Sequence, residues 1–451
     1  MILNPKPYQH EALKFVLERP RAGLFMDMGL GKTLISLAAI SELMRAGHVS
    51  KTLIVAPIRV LENVWPAEIE KWDNFNLLRF LNLNGQAASK QPYPDADIYG
   101  INPESFKTLV RNPRFAKIPV QLLIVDESSM FKNPAAMRFK AMQDVLYRYK
   151  YRWILTGTAA PNGLEDLWAQ IYILDRGEAL GPNITWFRRE FCAKGYDGLY
   201  EVTEQGKRAI FERISHLVLR MDKKHCLGMP ELIFNRIAVS LPATAQRLYR
   251  DMERKFLAVL ASGETVASPN AAVAGMRCRQ MANGGVYLPD GTAEHIHNAK
   301  ADALKGLVDD LQGDPLLVFY EFKHDLARIA RVLGNVPNLS GEKNTQQMVE
   351  DFNAGRIPVL AAYGASAGYG LNLQGACSNV CWMGVPWALD MHDQSNARVW
   401  RQGQSSSSVT IHYLMAKDTL DYKVIDVLAK KDRDQQELYA AIQAVSHPST
   451  H

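Results

Sequence analysis

Short apolar runs rich in β-branched residues alternate with helical patterns in two separate blocks of the chain. Apolar runs that alternate with helices are typical of a parallel sheet covered by helices on both faces. The predicted strands lie at 22–27, 52–57, 121–127 and 152–157 in the first block and at 316–320, 358–363, 379–384 and 408–416 in the second. The pattern therefore predicts an α/β fold with two parallel-sheet domains.

The region between the two blocks, from about 175 to 298, changes to long helical patterns. Within it, the small residues of 261–275 indicate a loop. A chain of 451 residues fits two or three domains. We expect an N-terminal domain of residues 1–236 with a helical insertion at about 176–225. A C-terminal domain of residues 237–451 would carry a helical and loop insertion at about 243–298.

The composition indicates a globular protein and limits its partners. Apolar residues make up 47% of the chain and charged residues 22%, which excludes a disordered chain. The formal net charge of +5 permits a nucleic-acid groove but is far too small for histone-like packaging. The N-terminus lacks the apolar run of a signal peptide, and the uncharged stretch 357–389 is interrupted by proline, asparagine and glycine. We therefore expect a soluble protein without membrane contact.

The cysteines and one pair of histidines are the candidates for a metal or disulfide site. Five scattered cysteines fit neither a disulfide framework nor a zinc site, which favours a reducing, intracellular compartment. His295 and His297 have no further ligands at a suitable spacing. Both histidines are therefore expected to be exposed to solvent rather than bound to a metal.

A glycine-rich segment at 26–33 lies between a predicted strand and a predicted helix. The residues that would surround a phosphate are Gly29, Leu30, Gly31, Lys32 and Thr33. Backbone N–H groups of the turn and the positive end of the helix would bind the phosphate. The lysine would reach the β- and γ-phosphates, and the threonine would ligate Mg²⁺. A strict phosphate-loop motif would have glycine in place of Met26, so a turn that only caps a helix remains an alternative.

Two carboxylates, Asp126 and Glu127, follow the apolar strand predicted at 121–127. At such a strand end Asp126 could hold Mg²⁺, and Glu127 could orient and deprotonate an attacking water. A solvated strand edge is the alternative for this pair alone. The phosphate-loop segment earlier in the chain favours the catalytic interpretation, because charge directly after an apolar strand is otherwise difficult to accommodate.

Two arginines three residues apart, Arg398 and Arg401, lie in the segment Gln394–Gln404. On a helix this spacing would place both guanidinium groups on one side, where they could neutralise γ-phosphate oxygens. A salt-bridged surface helix is the alternative for an isolated pair of this kind.

In this order and spacing the three motifs resemble those of the Swi/Snf branch of helicase superfamily two, a group of DNA translocases. In that branch the phosphate loop reads D-E-M-G-L-G-K-T, against MDMGLGKT here, and the acidic motif reads D-E-x-H-x-x-K-N, against DESSMFKN. The last motif of the branch, Q-x-x-x-R-x-x-R-x-G-Q, is matched by Gln394–Gln404. Further matches are Tyr8 and Gln9 and the segments 53–57, 62–72, 155–174, 187–191, 317–322 and 368–373. The resemblance extends from Pro7 to about Leu428.

The resemblance implies two RecA-like lobes that bind ATP and Mg²⁺ in the cleft between them. Tyr8 and Gln9 would contact the nucleotide, with Gln9 at the adenine edge. Gly370 and Gln394 would also lie at the nucleotide. The segment 156–158 would couple hydrolysis to movement of the lobes. Arg398 and Arg401 would act as arginine fingers.

The chain departs from the pattern of the branch at two positions. Ser129 stands where many members have the histidine that links the acidic motif to the coupling motif, so a serine hydroxyl would have to make that link. Trp400 replaces the commoner histidine between the two arginines.

The function implied is an ATP-driven DNA translocase that follows the phosphate backbone of duplex or branched DNA. Candidate DNA contacts lie at Pro57–Arg59, Asn102–Ser105 and Ala365–Tyr369, whereas the basic and aromatic region 186–224 fits a helical packing face at least as well. The alternatives are a strand-separating helicase and a nucleotide-switched scaffold for a partner nuclease. A separately encoded nuclease or replication or repair protein is a candidate partner.

Overall fold

The two predicted blocks of strands form two separate sheets in the structure, a computed structural model. The structure describes residues 2–84, 93–195, 200–261, 269–340, 345–364 and 372–446. The chain divides into two compact units. The first contains the chain up to Ala193, Tyr200–Leu227 and the chain from Lys431 onward, and the second contains Gly228–Lys430.

A seven-stranded parallel sheet is the centre of the first unit. Its strands are β1 Arg21–Met26, β2 Thr52–Val55, β3 Phe80–Asn82, β4 Ile98–Ile101, β5 Leu122–Asp126, β6 Tyr151–Thr156 and β9 Val218–Met221. Between β6 and β9 in the chain, β7 Cys192–Lys194 and β8 Tyr200–Val202 form a separate two-stranded sheet. The strand order is β3-β4-β2-β5-β6-β1-β9. All four strands predicted in this block are present. The strands β3, β4 and β9 were not predicted, because runs of three or four residues carry little periodicity.

Helices cover the sheet of the first unit. They are α1 Pro7–Leu17, α2 Lys32–Arg45, α3 Trp65–Lys71, α4 Pro103–Arg111, α5 Met137–Gln143, α6 Asp166–Asp175, α7 Ile184–Phe191, α8 Glu204–Ile214 and α9 Lys223–Cys226. Single turns of 3-10 or π helix occupy Val60–Val64, Asp73–Phe75, Phe115–Lys117, Ser128–Phe131 and Leu146–Arg148. One continuous apolar core includes residues of β5, β6 and α6, so the ends of these elements are held in fixed positions.

A five-stranded parallel sheet is the centre of the second unit. The strands of this unit are β10 Glu231–Val239, β11 Gly285–Tyr287, β12 Ala293–His295, β13 Leu316–Tyr320, β14 Val359–Tyr363, β15 Asn379–Trp382 and β16 Ser408–Ala416. The large sheet has the order β10-β16-β15-β13-β14, and β11 and β12 form an antiparallel pair. The strand β10 was not predicted. The predicted domain boundary at 236/237 falls inside it and stays a prediction.

Helices of the second unit cover both faces of its sheet. They are α10 Ala243–Ala261, α11 Pro269–Asn283, α12 Ala299–Asp310, α13 Lys323–Leu333, α14 Thr345–Asn353, α15 Leu389–Asn396 and α16 Leu420–Ser446, which continues into the first unit. Residues 269–275 of the predicted loop are helical, and 262–268 lie outside the described residues. Along β13, Leu317 and Phe319 enter one apolar core and Leu316 and Val318 enter another, as expected for a strand buried on both faces.

One predicted exposure is wrong. His295 is exposed, but His297 is buried, and its ring bonds the carbonyl of Met281 at Nε2 and the N–H of Ala299 at Nδ1. A histidine that caps the start of α12 has a structural role that spacing alone cannot distinguish from an exposed position. Within the described ranges, no group of three or more metal-ligating side chains comes together.

Helix lengths and cysteine states are defined for the described part of the chain. None of its helices combines the length and the apolar character that a membrane crossing requires. All five cysteines are free thiols.

Candidate active site

Three of the predicted motifs follow three neighbouring parallel strands of the first unit. The acidic motif follows β5, the coupling segment follows β6 and the phosphate-loop segment follows β1. These strands are adjacent in the sheet and parallel, so their carboxyl ends lie at one edge. The carboxyl edge of a parallel sheet is where α/β proteins generally bind ligands.

The phosphate-loop segment turns sharply between β1 and α2. Gly29 and Gly31 have φ values of 89° and 82°, in the left-handed region that glycine tolerates best. A Cβ atom at Gly31 would also lie 2.6 Å from Nε2 of Gln9, so a larger residue would displace the Gln9 amide from the turn. No side chain caps the N-terminus of α2, whose first N–H groups face the turn.

Lys32 is the first residue of α2, followed by Thr33, while Leu30 is fully buried in the turn. The Lys32 ammonium donates to the carbonyl of Met26 at 2.8 Å. It also donates to the carbonyl of Asp27 at 3.4 Å. A lysine that is bonded only to backbone carbonyls of its own loop can exchange these bonds for bonds to phosphate oxygens. The loop therefore has the donors that a triphosphate needs.

Gln9 packs against the phosphate-loop turn from α1. Its Nε2 donates to the carbonyl of Leu30 at 3.3 Å, and its Oε1 accepts from the backbone N–H of Lys6 at 2.9 Å. The adjacent Tyr8 is half-buried, and burial raises the pKa of its hydroxyl. The structure thus brings Gln9 to the phosphate loop, while its contact with adenine stays a prediction.

Asp126 ends β5 as a buried carboxylate. Its Oδ2 accepts from the indole N–H of Trp65 at 3.1 Å, and its Oδ1 accepts from the backbone N–H of Glu127 at 3.0 Å. Burial raises the pKa of Asp126, and the charge of Lys32 acts in the opposite direction. The Asp126 carboxylate and the Lys32 ammonium are therefore close enough to interact, as a metal-binding carboxylate beside a phosphate loop requires.

Glu127 has a left-handed backbone, with φ 56° and ψ 55°. A residue other than glycine rarely adopts this conformation, and such strain is concentrated at functional sites. The turn redirects the chain from β5 into the 3-10 turn Ser128–Phe131. Glu127 therefore lies at the sheet edge that carries the phosphate loop.

The coupling segment 156–158 closes on itself after β6. The backbone N–H of Thr158 donates to Oγ1 of Thr156 at 3.1 Å, and that hydroxyl donates to the carbonyl of Thr158 at 3.0 Å. A Cβ atom at Gly157 would lie 3.3 Å from Cγ of Met28, so the segment contacts the phosphate-loop turn.

A polar link joins the acidic motif to the coupling motif, through residues that sequence reasoning did not single out. The Ser128 hydroxyl donates to Oε1 of Gln170 at 2.7 Å, and Nε2 of Gln170 donates to the carbonyl of Ala159 at 2.6 Å. The sequence predicts the serine of this link at Ser129, one residue away. A glutamine within the largely apolar run 167–174 was the available signal for Gln170.

The two arginines do not lie on a helix, which corrects the predicted geometry. The helix α15 carries Gln394 but ends at Asn396, whose Oδ1 accepts from the indole of Trp382 at 2.9 Å. The N–H of Arg398 bonds the carbonyl of Ser395 and the N–H of Val399 bonds that of Asn396, each three residues back rather than four. The following residues therefore form irregular turns instead of a continuing helix.

Both arginines instead contact the segment that begins at Asn372. Gly370 lies outside the described residues. The carbonyl of Arg398 accepts from the N–H of Leu373 at 3.1 Å, and the guanidinium of Arg401 donates to Oδ1 of Asn372. Arg398 is buried, and burial lowers the pKa of Arg401. Both belong to the second unit, so their meeting with Lys32 stays a prediction.

Trp186, Phe187 and Phe191 of the region 186–224 pack together within the first unit, whereas Tyr200 is exposed. Phe187 and Phe191 are fully buried, and the Arg213 guanidinium lies over the rings of Trp186 and Phe191. Asn102 is likewise mostly buried and caps α4 by accepting from the N–H of Ser105 at 2.7 Å. Ala365–Tyr369 lie outside the described residues.

Comparison with known proteins gives the family. The model of the SNF2-related domain matches residues 8–284. Protein p41 of Acyrthosiphon pisum secondary endosymbiont phage 1 is 32% identical, over 98% of this chain and 99% of its own. The "Uncharacterized ATP-dependent helicase" of Mycoplasma pneumoniae is 25% identical over 95% of this chain. The "DNA annealing helicase and endonuclease ZRANB3" of Bos taurus is 27% identical over 94% of this chain.

This chain spans 42% of the length of the mycoplasma protein and 40% of the bovine one. Among solved structures, the "SWI2/SNF2 ATPase core in complex with dsDNA" of Sulfolobus solfataricus is 22% identical. It aligns over 99% of this chain and 96% of its own, with a TM-score of 0.46. The match of the domain model to more than half of the chain, together with the full-length phage relative, shows that the chain belongs to the SNF2-related domain family, the Swi/Snf-type ATPases of helicase superfamily two.

Proposed function

We propose that the protein is a DNA-dependent ATPase that uses ATP and Mg²⁺ to move along duplex DNA without efficiently separating the strands. The observation that carries the proposal is the meeting of the phosphate loop, the acidic motif and the coupling segment at one edge of one sheet. ATP binding at the phosphate loop, hydrolysis at the acidic motif and movement of the coupling segment can then influence each other through one or two side chains.

The residues of this edge fit a Mg²⁺-bound triphosphate. The uncapped N-terminus of α2 and the positive-φ glycines would present N–H groups to the phosphates, and Lys32 would neutralise them. Thr33 and the buried Asp126 would hold the metal ion, which would neutralise charge on the β- and γ-phosphates. Gln9 would fix the adenine end through the contact it already makes with the turn.

Hydrolysis requires a base for water and positive charge on the transferred phosphoryl group. Glu127 would accept the proton of the attacking water from its position directly after the metal-binding aspartate. Arg398 and Arg401 would supply charge from the second unit. Because they contact the segment beside Gly370, movement of that segment would alter their positions.

DNA is proposed as the track because members of the family are named as DNA helicases. A motor of this kind holds phosphates rather than bases, so its affinity should not depend on sequence. Pro57–Arg59 follow β2 and Asn102–Ser105 follow β4, two adjacent parallel strands, so both candidate contacts lie at the same sheet edge as the ATP site.

The ATPase rate on different nucleic acids tests the proposal. Turnover would be measured without nucleic acid and with single-stranded, duplex, forked and four-way DNA, and with RNA as control. We expect duplex-containing DNA to raise kcat well above the rate without DNA and above the rate with RNA. An ATPase rate that no DNA alters would contradict the proposal and favour a nucleotide-switched scaffold.

We further infer that a separately encoded nuclease or a replication or repair protein works with this motor. The bovine relative, of which this chain spans 40%, is named as both a helicase and an endonuclease. Co-purification with the tagged chain would test for such a partner, both with and without DNA. If no nuclease, replication or repair protein co-purifies under either condition, this inference is contradicted.

A further inference from the structure

A buried hydrogen-bonded bridge through Gln170 joins the acidic motif to the coupling motif. The Ser128 hydroxyl donates to Oε1 of Gln170 at 2.7 Å, and Nε2 of Gln170 donates to the carbonyl of Ala159 at 2.6 Å. Ser128, Gln170 and Ala159 are all fully buried. Water therefore does not compete for these bonds, which makes each of them stronger and its loss more damaging.

Gln170 is out of place in the helix that carries it. Its neighbours in α6 include Leu167, Trp168 and Ile171, all buried in the apolar core. An amide in such a position destabilises the fold unless both of its ends are bonded. A glutamine that served only packing could bond its own helix, and Nε2 does donate to the carbonyl of Asp166 at 2.9 Å. Its bonds to Ser128 and Ala159, which follow β5 and β6, go beyond that requirement.

The two ends of the bridge lie at sensitive points of the site. Ser128 directly follows Glu127, whose left-handed backbone depends on its neighbours to hold it. Ala159 directly follows Thr158, which closes the coupling segment onto Thr156. A shift of the coupling segment would therefore act on the turn that aims Glu127, through one side chain.

We propose that Gln170 is a positioning residue that makes ATP hydrolysis depend on DNA. When the coupling segment moves, the bridge moves Ser128 and with it the carboxylate of Glu127. The Gln170 side chain is fully buried and its amide bonds protein groups, so it would act through Glu127. The inference rests on the proposed function, because it concerns how DNA raises the ATPase rate.

A double-mutant cycle tests the bridge. Gln170→Leu, Ser128→Ala and the double variant would be compared with wild type for kcat with and without duplex DNA and for the Kd of a fluorescent ATP analogue. We expect each single variant to lower the DNA-stimulated kcat by about tenfold, as for a buried hydrogen bond lost from an activated state. The double variant should be no worse than the single ones, since either change breaks the same bridge. The Kd should change by less than about twofold, because the phosphate loop is not altered.

A matched control separates positioning from stability. Ile173→Val removes one buried methyl group from the same helix without touching the bridge, and it should lower stability while leaving the ratio of stimulated to unstimulated rates unchanged. If Gln170→Leu does not fold, Ser128→Ala, which removes a single oxygen atom, decides the question alone.

The possible outcomes are distinguishable. A wild-type ATPase that no DNA stimulates would defeat the proposed function and the inference with it. A stimulated wild type with equally stimulated Ser128→Ala and Gln170→Leu variants would defeat only the inference. Variants that lose stability and both rates in parallel, as a packing defect would, would also overturn the positioning role.

Discussion

The indole N–H of Trp65 donates a hydrogen bond to Oδ2 of Asp126 at 3.1 Å. Trp65 is fully buried at the start of α3, so the donor is held in one place by packing. The other oxygen of Asp126 accepts from the backbone N–H of Glu127. Together these bonds fix the plane of the carboxylate and leave its remaining lone pairs to a cation.

Replacing Trp65 by phenylalanine should therefore weaken Mg²⁺ binding while keeping most of the packing. Loss of a group that orients a metal ligand commonly lowers affinity or activity by about 10–100-fold. We expect the Mg²⁺ concentration for half-maximal ATPase to rise by roughly tenfold. Trp72→Phe is the matched control, since its indole donates to Glu68 at 2.8 Å, away from the acidic motif. An unchanged Mg²⁺ dependence in Trp65→Phe would show that the bond is only structural.

Glu127→Gln should bind ATP and Mg²⁺ but hydrolyse ATP slowly, because an amide cannot accept a proton. General-base catalysis contributes about 10²–10⁴-fold, so kcat should fall at least 100-fold while the Kd for ATP changes little. Near-normal turnover in Glu127→Gln would assign the base to another residue.

Lys32→Ala should instead lose ATP binding together with turnover, because the lysine ammonium would no longer neutralise the phosphates.

Arg398→Lys and Arg401→Lys should each lower kcat while leaving ATP bound to the first unit. Lysine keeps the charge but cannot form the paired bonds of a guanidinium, and arginine fingers contribute about 10³–10⁵-fold in rate. Single-turnover hydrolysis, with ATP binding measured separately, distinguishes the two effects. Losses below roughly tenfold in both variants would mean that the arginines only stabilise the turn after Asn396.

The second unit should lose stability in mild acid through His297. Burial, followed by the nearby charges of Arg328 and Lys300, lowers the pKa of His297 from 6.5 to about 4. Because the folded pKa lies below the unfolded one, its contribution is complete above about pH 6.5 and is lost as the pH falls towards 4. Between pH 7 and 5 the unfolding free energy should fall by about 2 kcal/mol.

Urea unfolding at the two pH values measures this loss. His297→Gln keeps a donor for the carbonyl of Met281 but does not titrate, so the loss should be largely absent in that variant. The exposed His295→Gln is the control and should behave as wild type. An acid loss that persists unchanged in His297→Gln would place its origin elsewhere.

Sequence patterns predicted what depends on local chemistry. The phosphate loop was predictable because its turn requires glycines and its helix follows immediately, and the eight strands were predictable because each forms a continuous apolar run. The turn after Asn396 was not, because its bonds, such as the one from the N–H of Leu373 to the carbonyl of Arg398, join it to another part of the chain. The bridge through Gln170 was hidden for the same reason, since its partners are 42 and 11 residues away in the sequence.

The central claim is that ATP hydrolysis moves the protein along duplex DNA. The most direct measurement is displacement of a third strand from a triplex, compared with unwinding of a forked duplex under the same ATP and enzyme concentrations. Strand separation needs an element that supplies about 1.4 kcal/mol per base-pair step, whereas following one phosphate backbone does not. We predict ATP-dependent triplex displacement with little unwinding, and neither activity in Glu127→Gln. Vigorous unwinding of the fork by the protein alone, or triplex displacement that is as fast in Glu127→Gln as in wild type, would contradict the claim.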